Sequence, residues 1–418
     1  VAGYTYSFGA GYSDVLLIKT DENGNVQWAK TYGGTSYDFA YSVQQTSDGG
    51  YIVAGYTYSF GAGYSDVLLI KTDENGNLEW AKTYGGTYED GAYSVQQTSG
   101  GGYIVAGRTR SFGAGGEDVF LIKTDAYGNV QWAKTYGGIS WDEAYSVQQT
   151  SDGGYIVAGY TYSLDAGWYD ILLIKTDANG NLEWAKTYGG TESENAHSVQ
   201  QTSDGGYIVA GYTFSFGAGW SDLFLIKTDA YGNVQWAKTY GGASFDWAYS
   251  VQQTSDGGYI VASYTHSFGA GGYDIFLIKT DANGNIGSCG IVQDVNPTVT
   301  IISPIISVSS VSPSVSSPDP TVTSPAVYFT SPTIAVSVHC FLSISESCQI
   351  ASGIITPYKG GIKVSGSGEF EVKVYNVSGV MVKSVKGKNE VKLELSRGVY
   401  FVEVISGGKV LREKVVIR

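Results

Sequence analysis

The sequence predicts an all-β fold: a six-bladed β-propeller of 52-residue repeats, followed by extended strands and a small C-terminal β-sandwich. Three observations carry that prediction. The marker Leu-Ile-Lys-Thr-Asp recurs six times at an unvarying 52-residue spacing, with its lysine at Lys19, Lys71, Lys123, Lys175, Lys227 and Lys279. Each repeat holds four short runs rich in Val, Ile, Tyr, Thr and Trp, bounded by Gly, Asp, Asn and Ser, which is the composition of strands joined by turns. The chemistry of the chain then changes twice, dividing it into residues 1–287, 288–358 and 359–418.

The strands of a repeat, called a to d, read in the second copy Ala40-Tyr-Ser-Val-Gln-Gln-Thr, Gly50-Tyr-Ile-Val-Ala-Gly-Tyr-Thr, Asp66-Val-Leu-Leu-Ile-Lys-Thr-Asp and Leu78-Glu-Trp-Ala-Lys-Thr-Tyr. Asn23-Gly24, between strands c and d, signals a tight type I′-like turn. The chain opens inside strand b, at Val1-Ala-Gly-Tyr, so the first copy has no strand a. It carries no initiator Met and no signal peptide, and a processed or incomplete N-terminus is expected. In the sixth copy Ser288 stands where Trp28, Trp80, Trp132, Trp184 and Trp236 stand earlier, so strand d is missing. A closed ring of six four-stranded blades is therefore two strands short. Open strand edges invite pairing with other backbone, which upstream residues, the chain's own later segment or a neighbouring subunit would supply.

Residues 1–287 contain all nine tryptophans and neither proline nor cysteine. Residues 288–358 hold all eight prolines and the three cysteines, Cys289, Cys340 and Cys348, among many Ser, Thr and Val. Ile334, Val336, Val338, Cys340, Leu342 and Ile344 alternate there with Ala335, Ser337, His339, Phe341, Ser343 and Ser345, the two-residue period of a strand. A weaker run spans Val299–Val311, interrupted by Pro304. The segment reads as extended strands in search of a sheet, with Ile334, Val336, Val338, Leu342 and Ile344 as the candidate donor strand. One disulfide is expected among the three cysteines, either Cys340–Cys348 or a staple from Cys289 to one of them. From Phe370 to Ile417, alternating runs separated by Gly-containing turns predict the C-terminal sandwich.

Two resemblances follow from these residues. Val374-Tyr-Asn-Val-Ser-Gly-Val-Met-Val-Lys, Leu395-Ser-Arg-Gly-Val-Tyr-Phe-Val-Glu-Val and Gly408-Lys-Val-Leu-Arg-Glu-Lys-Val-Val resemble the C-terminal sorting domain of type IX secretion cargo, a pattern shared with Ig-like modules of surface proteins. That resemblance implies export and an extracellular or cell-surface location. The repeats, with Asp48-Gly-Gly-Tyr-Ile-Val-Ala-Gly, resemble those of secreted prokaryotic β-propeller proteins, a group that implies no single chemistry.

In an up-and-down blade, loops b–c and d–a share one face of the disc, and on that face the copies differ. Loop b–c carries Tyr12, Tyr64, Gly116, Trp168, Trp220 and Gly272 at one equivalent position; loop d–a carries Tyr37 and Phe39, Trp141, and Phe245 and Trp247 beside acidic residues. Tyr12, Tyr37, Tyr64, Trp141, Trp168, Trp220, Phe245 and Trp247 are the candidate binding face. Aromatic rings beside carboxylates suit sugar stacking, protein contact, or packing between blades.

Composition sets the remaining expectations. Residues 1–287 hold 13 basic and 30 acidic residues and the whole chain carries −14, which disfavours nucleic acid. No apolar run reaches membrane-spanning length. His197, His266 and His339 form no ligand cluster, and no nucleophile or phosphate-loop motif appears, so an enzyme is not expected. No cofactor is expected either, with calcium held between several acidic loops left open. The preferred reading is a secreted structural subunit that self-associates into a filament or layer by strand addition. The alternatives are an adhesin or lectin using the aromatic face for a surface glycan or protein, and a polysaccharide-active enzyme with an acidic pair such as Glu192/Glu194.

Overall fold

Period-two alternation makes every copy of the repeat a meander, and the second copy shows it whole. Strands a (Asp38–Gln45), b (Tyr51–Thr57), c (Asp66–Thr72) and d (Leu78–Gly85) pair antiparallel in that order in the computed structural model. The structure describes residues 1–163, 168–269, 271–287, 292–294, 300–302, 307–310, 314–316, 321–323, 354–358, 361–376, 381–396, 398–406 and 409–417. Cys289, Cys340, Cys348 and the Ile334–Ile344 run lie outside the described residues.

The fold is a six-bladed propeller. Strand a of blades 2–6 lines a central channel of about 370 Å³, walled by Val43, Val95, Val147, Val199 and Val251 with their neighbouring glutamines. Each blade buries one face against the next: Ile52, Ala54, Val67, Leu69 and Tyr84 of blade 2 meet Ala92, Val95, Tyr103, Val105, Phe120 and Ile122 of blade 3. Burying a Leu or Ile side chain contributes about 2 kcal/mol, so these junctions dominate the stability of the array.

The invariant residues of the repeat stitch blades together. Gln97 N donates to Gln44 Oε1 at 2.5 Å, and Gln149 and Gln201 repeat that bond onto Gln96 and Gln148. Tyr32 and Tyr84 hydroxyls donate to Gly76 O and Gly128 O in the following blade. The marker lysine is a buried anchor: Lys71 Nζ lies 2.9 Å from both Asp48 and Glu79.

The c–d turn departs from the type I′ expectation. Asp21 Oδ1 accepts the Asn23 and Asn25 amides, and only Gly24 takes a positive φ, of 82°. A type I′ turn needs positive φ at both central residues, whereas here the aspartate carboxylate closes the turn and leaves a register shift at Lys19/Thr20.

Five short strands between residues 292 and 323, in the segment expected as extended strands in search of a sheet, join the blade sheets. Val292–Asp294, Thr300–Ile302, Ser307–Ser310, Ser314–Ser316 and Thr321–Thr323 pair antiparallel with the d strands of blades 5, 4, 3, 2 and 1 in turn. The order of pairing thus retraces the array, with one added strand outside each of the five d strands, the fifth strand of blades 2–5 and the fourth of blade 1. Val292, Ile301, Val308, Val315 and Val322 stand opposite Tyr240, Tyr188, Tyr136, Tyr84 and Tyr32. In the sequence Pro297, Pro304, Pro313, Pro318 and Pro320 all fall between these strands and none within one.

This outer layer leaves the two expected gaps unfilled among the described residues. Blade 1 has strands b, c and d plus the added strand, and blade 6 only a, b and c. Ile275 and Leu277 of blade 6 are 91% and 64% exposed, whereas their equivalents Ile171, Leu173, Leu223 and Leu225 are fully buried.

The C-terminal unit is one antiparallel sheet of Ile354–Tyr358, Gly361–Asn376, Met381–Glu394, Gly398–Ser406 and Lys409–Ile417. The 16-residue second strand pairs with three neighbours, and the sheet curls over Ile362, Val364, Phe370, Val372, Val374, Leu393, Val402 and Val404.

Candidate functional site

The b–c and d–a loops are bound to each other on one face of the propeller. Asp38 N donates to Ser13 O, Asp90 N to Ser65 O, Asp142 N to Glu117 O, and Asp246 N to Ser221 O, at 2.8–2.9 Å. Beneath them the first residue of strand a accepts a fixed set of donors; Asp38 takes the Ser59 hydroxyl at 2.7 Å, the Gly34 amide at 2.8 Å and the Thr57 hydroxyl. Glu194 takes that place between blades 4 and 5, accepting from the Thr213 hydroxyl and the Gly190 amide, which ties it to the loop. The first residue of strand c faces the same glycine-lined space. Burial raises the Asp66, Asp118 and Asp222 carboxyls to about 6, with backbone amides opposing the shift.

All eight sequence-predicted aromatics lie on this face. Tyr12 stacks on Tyr37 at 5.3 Å and 18°, Tyr37 lies parallel to Phe39, and Trp220 meets Phe245 at 6.0 Å. Trp247 stacks on Tyr212 at 4.3 Å, and its indole N–H donates to Ser221 Oγ. Trp168 and Trp220 are 61% and 72% exposed; Tyr12 and Tyr64 are as open. The face therefore joins ordered ring contacts to rings presented to solvent.

Sequence reasoning missed an inner ring. Tyr41, Tyr93, Tyr145, His197 and Tyr249 occupy the same position of strand a in five blades. They form an unbroken series of ring contacts, with centroids 5.3, 4.9, 5.1 and 4.8 Å apart. Tyr56, Tyr160, Tyr212 and Tyr264 pack outside them. The 52-residue spacing held the signal, because residues one period apart in the innermost strand must be neighbours. Burial lowers the His197 imidazole to about 4, so it is neutral at physiological pH.

One sector breaks the aromatic pattern. In blade 3, Arg108 and Arg110 stand where blade 2 has Tyr56 and Tyr58, and Glu117 stands in place of Ser65. Arg108 Nη1 lies 2.7 Å from Glu117 and 3.2 Å from Glu143, and Arg110 Nε lies 2.6 Å from Glu117. Tyr145 donates to Glu143 at 2.9 Å. Burial, then the hydrogen bond shared with Glu117, pushes the Glu143 carboxyl up. Desolvation opposes the shift at Glu117, but the bond from Glu143 and the Arg108 charge hold its carboxyl low.

Among the described residues, no group of three or more His, Cys, Asp or Glu is placed to hold a metal, and no helix is long and apolar enough to cross a membrane. The decisive comparison concerns the curled C-terminal sheet. Residues 356–418 match the secretion system C-terminal sorting domain. The protein is therefore a cargo of that export route, carried to the cell surface or beyond it.

The remaining similarities are distant. The chain is 27% identical over 174 residues to the regulatory protein FlaEY of Caulobacter vibrioides, covering 36% of this chain and 18% of that protein. It thus spans under a fifth of that relative. Among solved structures, a Bombyx mori GH32 beta-fructofuranosidase in complex with sucrose aligns over 92% of this chain and 85% of its own, at 9% identity and a TM-score of 0.30. A biofilm-associated protein BSP domain aligns over 100% and 87%, at 9% identity and a TM-score of 0.14. Scores this low carry no argument about fold or function.

Proposed function

We propose that this exported protein is a surface binding protein that takes carbohydrate on the aromatic face of its propeller. The observation that carries this reading is the arrangement of rings: an inner collar from Tyr41 to Tyr249, surrounded by loop rings that include the exposed Trp168 and Trp220. Sugar rings present C–H faces to aromatics and hydroxyls to neighbouring polar groups, and this face offers both. Display outside the cell by the sorting domain puts such a face where glycans are met. On a glycan array, Trp220→Ala or Trp168→Ala should weaken binding about tenfold, in line with the loss of one well-packed aromatic contact. Unchanged binding by both variants would remove the reading.

A second reading, self-association by strand addition, has its own support in blade 6. Its strand c (Asp274–Thr280) has no outer neighbour among the described residues, and the exposed Ile275 and Leu277 belong to a face that is buried in every interior blade. It ranks second because the five short strands between residues 292 and 323 already pair with the d edges of blades 1–5, removing five edges from the supply.

A further inference from the structure

We propose that the blade-3 sector of the aromatic face, formed by Arg108, Arg110, Glu117 and Glu143, is a polar subsite selecting the hydroxyls of a neutral sugar residue; it rests on the carbohydrate reading above. The argument begins with the repetition. Six copies share nearly all of their scaffold residues, so charged residues gathered in one sector mark a local departure rather than general drift. The four come from separate elements: Arg108 from strand b of blade 3 and Arg110 just beyond it, Glu117 from its b–c loop, and Glu143 from strand a of blade 4. They nevertheless form one bonded network.

The shape of the sector changes with its chemistry. Gly91 stands where blades 2 and 6 carry Phe39 and Trp247, and Gly116 where others carry Tyr64, Trp168 and Trp220. Trp141 lies against Gly116, so closely that a side chain there would meet its indole at 2.6 Å. Tyr56 lies against Gly91 in the same way, so the two glycines let aromatic rings close in beside the arginine network. Both arginines stay partly open, with 28% and 43% of their side chains exposed, while Glu117 and Glu143 are buried. A guanidinium has five N–H donors, and the ion pairs to Glu117, Glu143 and Glu89 occupy only some of them. The solvent side of the network is therefore rich in hydrogen-bond donors that are held in place from below.

Charge sets the ligand class. Glu117, between both arginines, and Glu89, 3.6 Å from Arg110, offset the two guanidinium groups locally, and residues 1–287 are strongly acidic. An anionic glycan would find no net positive field here, whereas a neutral sugar can accept from the arginines and stack on Trp141.

The other blades supply the test. A variant restoring their residues, Arg108→Tyr, Arg110→Tyr, Glu117→Ser and Glu143→Asn, carries only side chains that the fold accepts at Tyr56, Tyr58, Ser65 and Asn195. Full-length protein would be titrated calorimetrically with cellohexaose, laminarihexaose, mannohexaose and, as the charged control, hexagalacturonate. The expected result is binding of at least one neutral hexamer, weakened tenfold or more in the restored variant with an unchanged melting temperature. If the restored variant binds like the parent while Trp220→Ala loses affinity, the sector is structural and the subsite is overturned, though the carbohydrate face stands. Preference for hexagalacturonate overturns the neutral class. Absence of binding to any hexamer overturns the subsite together with the reading beneath it. Should the restored variant melt earlier, the single Arg110→Tyr change, at the more exposed arginine, serves with the same outcomes.

Discussion

His197 replaces a tyrosine in the inner collar, and its surroundings decide its charge. The rings of Tyr145, Tyr212 and Tyr249 enclose it, and Glu143, bonded to Tyr145, is the nearby carboxyl whose own protonation is favoured by burial. Its folded value of about 4 lies below the ordinary 6.5, so the unfolded chain takes the proton first as pH falls. Stability is thus lost between pH 6.5 and pH 4, approaching about 3 kcal/mol at the lower end. His197→Tyr, the residue of the other blades, should flatten this slope. Melting temperatures of parent and variant should diverge as pH falls from 7 to 4.5, and parallel curves would show that the imidazole is not desolvated. The same position shows why the inner collar escaped notice in the sequence. Ala-Tyr-Ser looks like repeated scaffold, and its recurrence every 52 residues is what places an aromatic or imidazole ring beside the next in five blades.

At the scale of the strand, the repeat was legible because its elements are seven or eight residues long, alternate with period two and end in turn residues. For residues 288–358 the sequence suggested extended strands, but not which sheet they join, because each outer strand is only three or four residues long. Their signal was a different period. Ile301, Val308, Val315 and Val322 are spaced by seven residues, and each faces a tyrosine of a 52-residue repeat. An extended chain advances about 3.3 Å per residue, so a seven-residue repeat can reach at most about 23 Å from one blade edge to the next. The pairing is tested by Val308→Pro with Ser309→Pro, because one of any two consecutive strand residues turns its N–H to its neighbour. Hydrogen exchange should quicken at least tenfold at Lys134–Gly137 of blade 3 and stay unchanged at Thr187–Gly189 of blade 4. Equal protection in both proteins would mean that the outer strand does not hold the edge.

For the whole molecule, the question is what meets the face and edge that blade 6 leaves open. Two apolar side chains as exposed as Ile275 and Leu277 forgo about 2 kcal/mol each that the interior junctions gain, so a partner with the same junction chemistry is favoured. The sequence also holds more strand units than the five that are paired. The seven-residue spacing continues at Phe329 and Val336, outside the described residues, and Val336 belongs to the run first singled out as a donor strand. Contact between a donor strand of one copy and an open edge of the next is heterologous, and such contacts propagate when the rotation does not close. Light scattering and electron microscopy of the full chain should therefore show concentration-dependent oligomers. Val336→Pro, on the donor side, and Ile275→Asp with Leu277→Asp, on the acceptor side, should each return it to monomer. A parent protein that stays monomeric at every concentration sinks the assembly reading and leaves the aromatic face as the protein's working surface. Oligomers that survive the donor change but not the acceptor change would assign the contact to blade packing instead of strand addition.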